Sequence, residues 1–211
     1  MNKDKKHIVY SKNVIEFVTV AKEFCSFLEN ADRIIRSDFI NKSQKILSLL
    51  YLKASLLPAT DPVLDEGNEK FVTEAEWDLI HSKVLRKLGQ YDQYIEVFDP
   101  RMQENGDPFQ ASLSENLADI YQDLMDFLSL YRIGNTDIMN DALWECRLSF
   151  EQYWGQGLVN ALGALNRIIY GSEITDESDR NGTPPDSYDA DTGSWFISRR
   201  QQDVDNDDPH A

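Results

Sequence analysis

Apolar side chains recur at intervals of three and four residues from Ser11 to Tyr170, and the alternation that marks strands is scarce. That spacing leaves few folds open, because each segment carries one apolar stripe that must be buried against another helix. The first stripe is Val14, Val18, Ala21, Cys25 and Leu28, on a helix expected from Ser11 to Glu29. A second helix is expected from Ser37 to just before Pro58. Between Leu49 and Leu57 it is apolar almost all round, the pattern of a helix buried among neighbours.

Pro58, Pro62, Gly67 and several acids mark residues 58–72 as a loop. Thr73-Glu74-Ala75-Glu76 then reads as a capping box, in which the threonine hydroxyl accepts from the first turn and Glu76 reaches back. The stripe that follows, Trp77, Ile80, Val84, Leu88, Tyr91, Ile95 and Phe98, runs unbroken through Gly89, so one long helix is expected up to Asp99-Pro100. Ser112-Leu113-Ser114-Glu115 is a second capping box, opening a helix whose inner face is Leu117, Ile120, Tyr121, Leu124, Leu128 and Tyr131, with Gly134 as its C-terminal cap. Asn135 or Thr136 starts the last helix, which ends at Tyr170 with Gly171 as its cap. Its stripe is Met139, Leu143, Cys146, Phe150, Tyr153, Gly157, Ala161 and Leu165, and it would be about 50 Å long unless it kinks near Gly155. The fold expected is all-α: a single bundle of five or six helices spanning residues 1–171.

Past Gly171 the composition changes. Residues 172–211 hold 11 acids against 3 bases, a net −8 that is half of the chain's −16. With so few apolar side chains this segment cannot offset its ordering entropy, and it is expected to be a mostly disordered acidic tail. One island interrupts it, Trp195-Phe196-Ile197-Ser198-Arg199-Arg200. Trp195, Phe196, Arg199 and Arg200 are expected either to dock on the bundle or to serve a partner as a short motif.

The charge balance, 37 acids against 21 bases, bears on partners. Such a surface repels nucleic acid and anionic membrane, so neither is expected, and a partner protein is expected to offer basic groups. No stretch reaches the length of a membrane span, and the N-terminal residues lack the apolar run of a signal peptide. Cys25 and Cys146 stand far apart among apolar residues and read as reduced, buried thiols. A cytoplasmic protein is expected.

No phosphate-binding loop, dinucleotide fingerprint, zinc-protease helix or nucleophile elbow is present, and no cofactor is implied. Of three histidines only His81 lies in the helical body. With Asp78 it makes half of a di-iron bundle motif, but the other half cannot be placed, and it reads as a boundary histidine bonded to Asp78. Two carboxylate triples at helical spacing, Asp119, Asp123, Asp126 and Asp137, Asp141, Glu145, fall opposite their apolar stripes. They read as solvated faces, a reading that reverses only if the two faces meet across a cleft. No metal site is assigned.

The most specific local pattern is Trp144, Arg147, Glu151 and Trp154, at i, i+3, i+7 and i+10 on one strip. Either the strip is a second packed face, or it walls a groove in which Arg147 receives an anionic group. The segment Trp144-Glu145-Cys146-Arg147-Leu148-Ser149-Phe150, with Trp154-Gly155, Ala161-Leu162-Gly163-Ala164-Leu165 and Leu117-Ala118-Asp119-Ile120-Tyr121, resembles a bacterial helical family catalogued as a domain of unknown function. The resemblance covers about residues 10–170 and implies an all-helical cytoplasmic protein without an assigned activity. Relatives in that family often carry histidine around the Trp-Gly pair. Tyr153 and Gly157 stand there instead, which argues against histidine chemistry. The leading expectation is a non-enzymatic helical module that binds a protein partner, a ligand or a second copy of itself. The alternative is a metal-dependent or small-molecule enzyme whose carboxylates are assembled between helices.

Overall fold

The computed structural model describes residues 8–64, 67–96 and 109–171. The chain divides into two units, Met1–Arg180 and Asn181–Ala211, and the second falls wholly outside the described residues, as do the tail and its island at Trp195, Phe196, Arg199 and Arg200.

Among the described residues the first unit contains six α-helices. Helix α1 is Lys12–Glu29 and α2 is Arg36–Ser55, joined through a 3-10 turn at Ala31–Arg33. Residues 56–72 carry no regular element among those described, and α3 follows at Glu74–Leu88. After the hairpin described below come α4, Leu113–Arg132, α5, Thr136–Ser149, and α6, Gly155–Tyr170. Helix α4 is the hub, packing on α1, α3, α5 and α6. Helix α2 sits at the edge, packed mainly on α1 and α6. The core lies where the stripes converge, with Phe17, Phe24, Phe39, Leu47, Leu117 and Leu124 fully buried and Phe27 stacked on Phe39 at 4.9 Å.

The ends of the helices follow from local chemistry. Thr73 and Glu76 form the reciprocal capping box, and Asn135 caps α5 by accepting from the amides of Asp137 and Ile138. Ser112 caps α4 by accepting from Glu115 N, one half of the box its sequence suggests. Gly134 takes φ +80 just after α4, a left-handed value that favours glycine.

Two expectations are corrected by the backbone. The long helix through Gly89 stops at Leu88: Gly89 takes φ +56, and a 3-10 turn and a strand follow. Strand β1, Gln93–Glu96, pairs antiparallel with β2, Phe109–Ser112, with Gln93 opposite Ser112. The cause is polar. Buried Asp92 accepts from Ser112 Oγ and Ser114 N, each at 2.8 Å, tying the hairpin's base to the first turn of α4. Ile95 keeps the helical phase in sequence but is 53% exposed on the ribbon.

The last helix is continuous only through a π turn, Phe150–Trp154, whose Gly155 N–H bonds to Phe150 O five residues back. One extra residue per turn advances every later side chain by roughly 100° around the axis. Tyr153, expected on the inner stripe, is therefore 70% exposed, and Trp154, at 3%, takes its place in the core. Gly155 is required at this junction because a Cβ there would lie 2.3 Å from Phe150 O.

Candidate functional site

The two carboxylate faces do meet. Helices α4 and α5 pack antiparallel through a short turn, and their acids converge on the segment that links α2 to α3. Asp141 accepts from the amides of Val63 and Leu64 at 2.8 and 2.7 Å, while neighbouring Asn140 donates to Asp61 O. Asp126 Oδ1 accepts from the amides of Phe71 and Val72 at 2.8 and 2.9 Å. Glu145 accepts from Asn68 Nδ2 at 2.7 Å and from Lys70 Nζ at 2.9 Å. Both oxygens of Asp141 and Oδ1 of Asp126 satisfy backbone amides that no helix or sheet would otherwise pair, which is the reason these two acids point inward, while Glu145 holds two side chains of the same segment. The expectation of two solvated faces is thus corrected for Asp126, Asp141 and Glu145. Asp137 stays in the first turn of α5, where a negative charge suits the helix dipole.

Asp123 and Asp119 complete the α4 row. Asp123 accepts from Ser149 Oγ at 2.8 Å and Asp119 from Trp77 Nε1 at 2.9 Å. Burial holds both carboxyls above the usual carboxylate range. For Asp123 the Ser149 bond and Lys70 oppose that rise, whereas Asp126 and Asp119 add to it. His81 stacks on Trp77 at 4.9 Å, and no hydrogen bond joins it to Asp78.

Between α4 and α5 lies a cavity of about 10 Å³ with Asp123, Asp126, Glu145, Cys146 and Ser149 in its wall and Lys70 at its edge. Asp126 Oδ2, in a residue only 3% exposed, has no hydrogen-bond partner there, and Lys70 Nζ stands 3.7 Å away. That volume is near the least that holds one water, far below an organic substrate's pocket. Among the described residues no group of three His, Cys, Asp or Glu side chains is placed to hold a metal ion. The acids around it are instead engaged within the chain, Asp126 and Asp141 by backbone amides, Glu145 by Asn68 and Lys70, and Asp123 by Ser149. Spacing alone shows the two triples but not this use of them. The available signal was the loop itself, too long to leave its buried amides unpaired without acceptors from neighbouring helices.

The strip read from the sequence is split by the π turn. Arg147 pairs with Glu151 at 2.8 Å on the surface, their side chains 33% and 50% exposed, and Trp144 is half-buried beside them. Trp154 is carried round into the core, its ring 4.7 Å from Phe150 and its indole N–H unpartnered. So Trp144, Arg147 and Glu151 remain neighbours on one face, and no indole cover forms over Arg147 from Trp154.

A third feature was not anticipated. Helix α2, expected to be covered on all sides, has one face that no described residue covers. Leu49, Leu52 and Leu56 lie at i, i+3 and i+7 on the side away from α1 and α6, with Leu52 52% exposed. Lys42 and Lys45 continue the same face toward the N-terminus, both exposed and without an ion pair among the described residues. The reason is position: α2 is at the edge of the bundle, and neither neighbour reaches its outer side.

The family described as Domain of unknown function (DUF5063) matches residues 8–171. No curated protein matches the chain. Among solved structures, the chain is similar to the crystal structure of protein BF1032 from Bacteroides fragilis, a structural-genomics target, with 41% identity and a TM-score of 0.71 over 79% of this chain and 98% of that one. No helix among the described residues is long and apolar enough to cross a membrane. By the extent of the match and the identity of its solved relative, this chain belongs to the DUF5063 family, an all-helical domain of unknown function.

Proposed function

We propose that this protein is a non-enzymatic interaction module that binds a partner protein through the outer face of α2. The observation that supports it is the row Leu49, Leu52 and Leu56, apolar and uncovered, on a helix whose opposite face is fully committed to the core. Exposed leucines in register along one helix are the pattern of a helix-packing surface rather than scattered surface apolars. Lys42 and Lys45 sit at one end of the row in a chain of net charge −16, so the partner is a segment that sets apolar side chains on the leucines and acids on the lysines. This revises the expectation of a basic partner, because the local charge of the contact face outweighs the distant net charge. The carboxylates between α4 and α5 give no support to the enzymatic alternative, since they hold the chain's own amides. The same reading places the protein in the cytoplasm, in keeping with its two free, buried thiols.

The test is a photo-crosslinking residue at position 52 in the full chain expressed in cells. A discrete adduct that weakens several-fold when Lys42→Glu and Lys45→Glu are combined is the expected result. An adduct of twice the chain's mass would identify the partner as a second copy. An adduct indifferent to the charge reversal would contradict the charge complementarity.

A further inference from the structure

Residues 67–72 are built unlike the rest of the body. They run beside the α4–α5 cavity without regular structure, put Lys70 in its wall, and are anchored by polar bonds to two of the acids that line it. Asn68 and Lys70 hold Glu145, and the amides of Phe71 and Val72 hold Asp126. Val72 is the one buried apolar side chain of the six, while Phe71 and Lys70 are exposed. A segment with several hydrogen bonds and little buried apolar surface opens at a small fraction of the cost of unfolding the bundle. Beneath it the cavity holds groups that gain from contact with water or a ligand. These are the unpartnered Asp126 Oδ2, the Asp123 carboxyl that burial disfavours in its charged form, and the Cys146 thiol.

We propose that residues 67–72 form a lid that opens independently of the helical body and exposes the cavity walled by Asp123, Glu145, Cys146 and Ser149. The Lys70 ammonium, between Glu145 Oε1 at 2.9 Å and Asp126 Oδ2 at 3.7 Å, is the catch that holds it shut. Lys70 is half exposed and Glu145 one-third exposed, so Glu145→Gln leaves no buried charge unpaired, whereas Lys70→Met also takes away the cation 3.7 Å from buried Asp126.

The two cysteines make the test. Both are buried, Cys146 in the cavity wall and Cys25 in the core stripe of α1, and their peptides separate by mass. The full chain is labelled with a small thiol reagent, and the rate is read at each cysteine for the native protein, Lys70→Met and Glu145→Gln. The lid predicts that Cys146 reacts faster than Cys25 in the native chain. It also predicts that either variant speeds Cys146 by about tenfold, the loss of one charge-assisted bond, and leaves Cys25 unchanged. Equal acceleration at both cysteines would mean that only the whole fold opens, and an unchanged Cys146 rate would mean that Lys70 holds nothing shut. Either result overturns the lid.

Discussion

Single side chains here carry consequences that run against their usual tendencies. Asp123 is the clearest, a carboxylate whose charged form is disfavoured by burial between α4 and α5. Because its folded pKa is raised, the folded state holds its proton more tightly than the unfolded chain does, and stability falls as pH rises from the ordinary 3.8 through the raised value. Asp123→Asn keeps an acceptor for Ser149 and removes the charge. It is expected to raise stability at neutral pH and to leave it unchanged at pH 3, where the aspartate is protonated in both states. Denaturant titrations at the two pH values check this. Thr73→Ala removes half of a complete capping box and is expected to cost about 1 kcal/mol, read as a shift in the denaturation midpoint at constant slope.

Among the elements, the last helix shows where sequence pattern is sufficient and where it fails. Met139, Leu143 and Cys146 mark the buried stripe of α5 correctly, and Ala161 and Leu165 do so for α6, where buried Leu158 takes the place expected of Gly157. The phase between them is shifted by one residue, which no spacing rule detects, because both halves are separately helical. Gly155 was visible as a soft point, but its necessity rests on a carbonyl that only the π turn aims at it. Gly155→Ala must push Phe150 O away or re-form the turn, and is expected to cost about 1–3 kcal/mol by overpacking. Thermal unfolding checks it, against Gly163→Ala, which meets open space and should be neutral or slightly stabilising. The hairpin was missed for a related reason. Tyr91 and Ile95 keep helical phase, while the bonds from Asp92 to Ser112 and Ser114 that redirect the chain are long-range. The site was legible in part: both acid rows were found, but whether they faced water or each other depended on how α4 and α5 pack.

At the level of the whole molecule, one helix plays two roles. Leu47 and Leu50 on the inner side of α2 are fully buried, and Leu52 on the outer side is half exposed. Leu47→Ala is expected to cost about 2–5 kcal/mol, through lost burial and the cavity left behind. Leu52→Ala is expected to change stability by less than about 0.5 kcal/mol, and equilibrium unfolding separates the two. An apolar residue that the fold does not use is the basis for reading the α2 face as a contact surface. Photo-crosslinking in cells tests that claim most directly, with the reactive group at Leu52 and, as a control, at exposed Glu23 on α1. A discrete adduct from position 52 and none from position 23 is the predicted result. Equal adducts, or none from either position, would contradict it.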